Sequence, residues 1–321
     1  MKPKILVTRQ VFPEVVARLA QHFEVDHNAS DDIMSPELLR RRADGCTGVI
    51  CCLTEKIDAA FLDACPTVKV VSNIAVGYNN IDIAEVSKRG VMATNTPGVL
   101  DDTTADLTFA LLMAAARRIT ETEGRLRRGE WKKGFALQQW LGADIHHAAL
   151  GIIGMGRIGQ TIARRALGFE MQVRYFNRTR LDAAAESKLN ARYASKDEVL
   201  RDSDFVVVMV PYSPATHHLI GAAEIALMKP SAILINTARG GVVDDVALID
   251  ALKHKRIAGA GLDVFENEPA FNAEFLKLDN VALTPHIGSA THNTRMNMAM
   301  LAVDNMIAAL SGKKPPNLLN P

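Results

Sequence analysis

Short apolar runs alternate with amphipathic stretches along most of the chain. In the first hundred residues, 5–8, 49–52, 68–73 and 91–94 predict strands, with Glu24–His27 a weaker one. Between them, 14–22, Pro36–Ala43 and Ile83–Lys88 repeat apolar residues at the spacing of a helix with one buried face. The alternation resumes at Leu150, with strands expected at 150–153, Gln172–Phe176, 205–210, 232–236, 258–262 and Val281–Leu283. Strand and helix in turn predict parallel sheets with helices on both faces.

The middle and the end of the chain break this rhythm. After Pro97-Gly98, the run Asp101-Asp102-Thr103-Thr104 offers helix caps, and 105–116 is apolar except for Asp106 and Thr108. A helix apolar all round must be covered on more than one side, so it is expected to cross between domains and to meet another subunit. Residues 129–147 form a long irregular stretch of the kind that carries function or an interface. Trp140 there is read either as an anchor reaching a neighbouring subunit or as packed within its own domain. Residues 299–310 are apolar on one face and are expected to return to the first domain. The expected architecture is therefore α/β, with two doubly wound parallel-sheet domains and a cleft between. A flavodoxin-like substrate domain takes 1–99 and 288–321; a Rossmann dinucleotide-binding domain takes 100–287.

Composition narrows the function. A chain of 321 residues suits two domains. Lys plus Arg number 37 against 36 for Asp plus Glu, which gives no basic footprint for nucleic acid and no polybasic membrane patch. No apolar run is long enough to span a bilayer, and the start lacks the apolar core of a leader peptide. Cys46, Cys51, Cys52 and Cys65 read as reduced thiols and match no zinc spacing. The neighbouring pairs His146-His147 and His217-His218 are not expected to share a metal, since adjacent side chains of extended chain diverge. A cytoplasmic protein with no resident metal is expected.

The chemistry centres on Leu150-Gly151-Ile152-Ile153-Gly154-Met155-Gly156-Arg157-Ile158-Gly159. An apolar strand, a G-x-G-x-x-G turn of Gly154, Gly156 and Gly159, and a helix form the context of a dinucleotide site. Gly154 permits the tight turn, Gly156 lets backbone approach a pyrophosphate, and Gly159 lets helix and strand pack closely. The next strand ends at Asn177, eighteen residues past Gly159, where an NAD site places an acid on the ribose 2′-hydroxyl. Asn177-Arg178-Thr179-Arg180 instead suits a 2′-phosphate through charge-assisted bonds, so NADP(H) is preferred. NAD(H) stays possible, with Asp182 close enough to restore some affinity.

Three later strand ends carry Arg239, Glu268 and His286. An Arg set by an apolar strand at the functional edge of a sheet calls for an anion. A His paired with a carboxylate can hold a proton near neutral pH and act as a general acid. Pro211-Tyr212-Ser213 is expected over the cofactor. In the first domain, the loops Cys52-Leu53-Thr54 and 73–78 follow strands, and Gly77 there can offer amides to a carboxylate.

These motifs resemble the D-isomer-specific 2-hydroxyacid dehydrogenases over essentially the whole chain. The resemblance rests on 151–159, 228–244, Gly261-Leu262-Asp263-Val264-Phe265-Glu266-Asn267-Glu268-Pro269 and Pro285-His286-Ile287-Gly288. Within the family the chain is most similar to bacterial glyoxylate/hydroxypyruvate reductases, also described as 2-ketogluconate reductases, through 75–80, Asp144-Ile145-His146-His147 and 286–292. The resemblance implies His286 as proton donor with Glu268 its partner, and Arg239 on the carboxylate and carbonyl of a 2-oxo acid. It implies Val76 and Gly77 amides on the carboxylate and Leu53 lining the site. Thr104, Arg157, Ile158, Pro211, Thr216, Thr237, Ala238, Asp263 and Gly288 match cofactor contacts, with Asp263 facing the nicotinamide carboxamide. A homodimer acting on a small 2-oxo or 2-hydroxy acid is expected. Phosphoglycerate dehydrogenase ranks lower, because no regulatory extension and no added basic cluster is read, and formate dehydrogenase lower still. A dinucleotide-sensing, peptide-binding corepressor is the rival from another class.

Overall fold

The structure is a computed structural model that describes residues 2–321; Met1, part of the start read for a leader, lies outside them. The first elements are β1 (Lys4–Val7), α1 (Pro13–His22), β2 (Glu24–His27), α2 (Pro36–Ala43), β3 (Gly48–Cys51), α3 (Ala59–Ala64), β4 (Val70–Asn73), α4 (Ile83–Lys88) and β5 (Met92–Thr94). Then come α5 (Asp101–Ala116), α6 (Ile119–Arg127), β6 (Ala149–Ile153), α7 (Arg157–Ala166), β7 (Gln172–Phe176), α8 (Ala183–Leu189), β8 (Ala191–Tyr193) and α9 (Lys196–Asp202). The chain ends with β9 (Phe205–Val208), α10 (Ala222–Ile225), β10 (Ile233–Asn236), α11 (Asp245–Lys253), β11 (Gly259–Leu262), β12 (Val281–Leu283) and α12 (His292–Leu310).

Contacts divide the chain into two compact units, Met1–Leu100 with Ala290–Pro321, and Asp101–Ser289. The first holds a parallel sheet in the order β2-β1-β3-β4-β5, the flavodoxin-like order. Helix α12 belongs to this unit and packs its Ala299, Ala302, Val303 and Met306 with Ile5, Val7, Ile50 and Val70 of the sheet. Gly48 in β3 has no side chain because Met306 occupies the space: a Cβ there would sit 2.6 Å from its sulfur.

The second unit holds a seven-stranded parallel sheet in the order β12-β11-β10-β9-β6-β7-β8. Sequence order reverses between β6 and β9, and such a switch point opens a crevice at the carboxyl ends of the strands. Strands β9, β10 and β11 are buried along their length, which is why they read as unbroken apolar runs. The expected strand at 205–210 stops at Val208, two residues short of Pro211.

Three other expectations change. The run 101–104 does not cap α5; it is the helix's own first turn. That helix lies wholly in the second unit, and within the single chain it buries Leu111 and Leu112 and exposes Asp106 and Ala110. His146 and His147 do not diverge as extended chain would. His147 takes a left-handed φ of 60°, and the two rings meet edge to face at 5.2 Å. Residues 129–147 carry no helix or strand, as expected, and Trp140 is half-buried. All four cysteines are free. Among the described residues no helix is long and apolar enough to cross a membrane.

Candidate active site

The glycine turn leaves β6 at the switch point. Gly154 has φ +105°, and a Cβ there would lie 2.3 Å from the Met209 carbonyl oxygen. A Cβ on Gly159 would lie 2.2 Å from the Gly154 carbonyl oxygen, so α7 can press against the turn only with glycine at this place. Gly156 differs: nothing lies within 4 Å of where its Cβ would be. It is also the N-cap of α7 and closes no side-chain bond over the first turn. Open space in front of uncapped amides at the positive end of a helix dipole fits a pyrophosphate. Arg157, the first residue of α7, pairs with Asp101 at 3.2 Å, and Ile158 follows it half-buried.

The corner after β7 is partly used up. Asn177 Oδ1 accepts the Met155 amide at 3.2 Å and its Nδ2 donates to the Thr179 carbonyl at 2.9 Å, so this side chain ties the two loops together. Arg180 is not free for a phosphate as the sequence suggests. It grips Glu186 with two bonds of 2.8 Å and lies over the Tyr193 ring. Nor is Asp182 available to a ribose: it caps α8 through the Ala185 amide. Arg178 and Thr179 are exposed, and among the described residues Arg178 has no acid partner.

Of the further expected cofactor positions, Thr104, Asp263 and Gly288 lie together at the His286 loop. A Cβ on Gly288 would lie 3.3 Å from Asp263 Oδ2 and 3.6 Å from Thr104 Oγ1. Thr108 donates to the Thr104 carbonyl, so at 2.6 Å its oxygen accepts from Thr237. Ala238 is buried beside it, its amide held by Asn236 Oδ1. Thr216 Oγ1 closes the loop after β9 by donating to the Pro211 carbonyl at 2.8 Å. Asp263 is buried and accepts from Thr284 Oγ1 at 2.7 Å and from the amides of Ile287 at 2.7 Å and Gly288 at 2.8 Å. Burial pushes its carboxyl up against these bonds. Its visible work is to fasten the loop after β12, with one donor on Oδ2 leaving room for another.

His286 stands on that loop with φ +54°, a left-handed conformation that costs energy for a side-chain-bearing residue. Its amide donates to the Asp263 carbonyl at 2.9 Å. Its Nδ1 meets Glu268 Oε2 at 2.7 Å, and both side chains are about one-third exposed. Among the described residues Nε2 has no hydrogen-bond partner. Glu268 is held in turn by the Phe265 amide on Oε1, 2.7 Å away. Burial pushes the Glu268 carboxyl up. The bond and charge of His286, the Phe265 amide and the Arg239 charge together outweigh this and hold it below the ordinary range. The pair is therefore built to stay a carboxylate facing an Nδ1–H.

Arg239 follows β10. Asn236 Nδ2 fixes its carbonyl at 3.1 Å, and the guanidinium donates to the Ala238 carbonyl at 2.7 Å. Burial lowers its pKa, and the Glu268 and Asp263 charges oppose that. Among the described residues no carboxylate lies within ion-pair distance of it. A half-buried guanidinium without an acid beside it calls for an anion from outside. Gly240 follows because a Cβ there would lie 1.7 Å from the Phe265 carbonyl oxygen, so the loops of Arg239 and Glu268 touch through their backbones.

Sequence reasoning missed the support beneath. His218 Nε2 meets Glu266 Oε1 at 2.7 Å, and its Nδ1 faces Asp244 Oδ2 at 3.7 Å. These three could group around a metal ion. The imidazole, however, turns a different nitrogen to each acid, so it stands between the two and does not offer one nitrogen beside both to a single ion. Asp245 is buried and accepts the Glu266 amide at 3.0 Å. Burial first, then the Glu266 and Asp244 charges, push Asp245 up to about 6 against the Glu266 amide. The available signal was Asp244-Asp245 opening a helix and Glu266 two places before Glu268.

In the first unit, the loops after β3 and β4 are held from below. Buried Glu55 accepts from Thr8 Oγ1 at 2.8 Å, the Cys52 amide at 2.8 Å and Thr54 Oγ1 at 2.6 Å. Asn80 donates to the carbonyls of Cys52 at 2.8 Å and Glu55 at 3.0 Å. Leu53 is half-buried at the crest. Asn95 and Asn73 hold the carbonyls of Val76 and Gly77, each at 2.8 Å. Among the described residues the amides of Val76 and Gly77 have no partner, as a carboxylate site needs.

The profile of the D-isomer specific 2-hydroxyacid dehydrogenase NAD-binding domain matches residues 109–288. A glyoxylate reductase of Thermococcus litoralis is 47% identical over 100% of this chain and 97% of its own length. The glyoxylate/hydroxypyruvate reductase B of Erwinia tasmaniensis is 46% identical, with 100% of each chain covered. Among solved structures, the NADPH-dependent glyoxylate/hydroxypyruvate reductase of Sinorhizobium meliloti in complex with citrate superposes with a TM-score of 0.87 at 33% identity, covering 100% of this chain and 99% of that one.

Proposed function

This chain belongs to the D-isomer-specific 2-hydroxyacid dehydrogenase family of oxidoreductases, and on that premise we propose that it reduces small 2-oxo acids to D-2-hydroxy acids with a preference for NADPH. Glyoxylate and hydroxypyruvate are the foremost substrates, as the names of its relatives suggest, with 2-ketogluconate a longer one. The observation that carries the reading is the 2.7 Å pair of Glu268 and His286 beside Arg239, a guanidinium without an acid of its own.

A bound nicotinamide cofactor supplies the hydride. The residues do the rest. Gly154, Gly156, Gly159, Arg157 and Ile158 take the pyrophosphate, and Thr104, Pro211, Thr216, Thr237, Ala238, Asp263 and Gly288 surround the remainder. Arg239 holds the carboxylate and carbonyl of the substrate. His286 gives its Nε2 proton to the carbonyl oxygen as negative charge develops there. Glu268 keeps Nδ1 protonated and the ring turned, and its charge steadies the imidazolium. In the first unit, Leu53 and the amides of Val76 and Gly77 are proposed substrate contacts.

The cofactor preference rests on Arg178, with Asn177 and Thr179 beside it where an acid would repel a 2′-phosphate. Arg178→Ala is expected to raise KM for NADPH by roughly tenfold or more, the worth of a charge-assisted bond, and to leave KM for NADH unchanged. Steady-state rates with both cofactors against glyoxylate, hydroxypyruvate and 2-ketogluconate test the reading. Equal use of both cofactors before and after substitution would remove the phosphate assignment. Tight dinucleotide binding with no turnover of any of the three acids would remove the reductase.

A homodimer is proposed on the apolar surface of one segment: Ile119, Leu126, Trp131, Phe135, Leu137 and Leu141 are all exposed, Phe135 at 88%. Patches of this kind mark interfaces. Sedimentation should give a dimer that Phe135→Asp with Leu137→Asp dissociates; a monomeric wild type would contradict it. The four unpaired thiols favour a cytoplasmic location.

A further inference from the structure

We propose that His218 and Asp245 are positioning residues that set the catalytic pair through Glu266, a role that rests on the reductase reading above. The link is a chain of bonds across three strand-end loops of the second unit. His218 lies after β9, and its amide donates to the Gly241 carbonyl at 2.8 Å, which anchors it to the loop of Arg239. Its Nε2 reaches Glu266 Oε1 at 2.7 Å. The Glu266 amide in turn reaches Asp245 Oδ2 at 3.0 Å. Glu266 is thus held at its side chain and at its backbone by two different elements.

The neighbouring peptide carries this constraint to the chemistry. The Phe265 amide donates to Glu268 Oε1, and Glu268 Oε2 faces His286 Nδ1, each at 2.7 Å. The Phe265 carbonyl lies against Gly240, where a Cβ would come within 1.7 Å. A shift at Phe265 therefore moves Glu268 through its amide, and with it the ring of His286, and pushes on the loop of Arg239 through its carbonyl. His218 is steadied from its other face by His217, stacked at 3.9 Å, whose Nδ1 meets the Tyr212 hydroxyl at 3.2 Å. Small displacements of such groups cost rate because the proton must be delivered in line with the developing charge.

The test separates a positioning role from a merely structural one. His218→Phe keeps the stacked ring and loses the donor; His218→Gln keeps a donor at similar reach. In glyoxylate reduction, His218→Phe is expected to lower kcat by roughly tenfold or more with KM for NADPH within about twofold, and His218→Gln to recover most of the loss. Combined with Glu268→Gln, His218→Phe is expected to cost less than about twofold further, because its effect runs through Glu268. Full multiplication of the two losses, or a His218→Phe enzyme as fast as wild type, would overturn the proposal. A readout free of turnover keeps the two claims apart: the downfield proton resonance of the His286–Glu268 bond, assigned by its loss in His286→Gln. It should move or broaden in His218→Phe and persist in His218→Gln. An unchanged resonance in His218→Phe overturns the proposal even where turnover is absent, while a moved resonance without turnover overturns only the reductase reading.

Discussion

His286→Gln is expected to lower kcat for glyoxylate reduction by roughly 10²- to 10⁴-fold, the usual worth of a positioned general acid, while NADPH affinity stays within about twofold. Glutamine fills a similar volume and can still bond Glu268, so the loss reports the missing proton and not a collapsed loop. The loop itself is fixed by Asp263, which takes the Ile287 and Gly288 amides and the Thr284 hydroxyl, none of which the substitution touches. Stopped assays of hydroxy acid formed, with dinucleotide binding followed by fluorescence, give both numbers. A variant that keeps a tenth or more of wild-type kcat would remove His286 from the chemistry.

Arg239→Gln is expected to lower kcat/KM for glyoxylate by roughly 10²- to 10³-fold, the cost of deleting one partner of a desolvated charge pair. Lysine should recover little, since one ammonium cannot span a carboxylate and a carbonyl as a planar fork does. The same change should not destabilise the free protein. Burial already works against the Arg239 charge, and among the described residues no acid within ion-pair distance offsets it. Removing the charge should leave Tm equal to or above that of wild type. Activity lost while stability holds is the signature of a residue kept for its ligand. A drop of several degrees in Tm with only a small change in kcat/KM would make Arg239 a structural residue instead.

What could be read in the sequence had a local physical cause. Strands β9, β10 and β11 are buried along their length, so they appear as apolar runs. The glycine turn is legible because backbone oxygens at 2.2 and 2.3 Å leave no room for a Cβ at Gly159 and Gly154. Arg239, Glu268 and His286 lie in the loops that follow β10, β11 and β12, which is why three distant residues could be grouped before any distance was known. The supports were not legible. Glu55, Asn80, His218 and Asp245 act through long-range bonds, and no spacing along the chain brings His218 to Glu266. The phosphate corner misled in part for the same reason: Arg180 and Asp182 sit at suitable sequence positions but are already engaged, one by Glu186 and the other by the start of α8.

The most direct test of the account is a single turnover with the configuration of the product read. The wild-type enzyme, preloaded with one equivalent of NADPH, is mixed with excess hydroxypyruvate, and the glycerate formed is analysed by chiral separation. The account predicts oxidation of the bound cofactor in one phase, with one glycerate of D configuration per active site. No oxidation, or glycerate of L configuration, would contradict it.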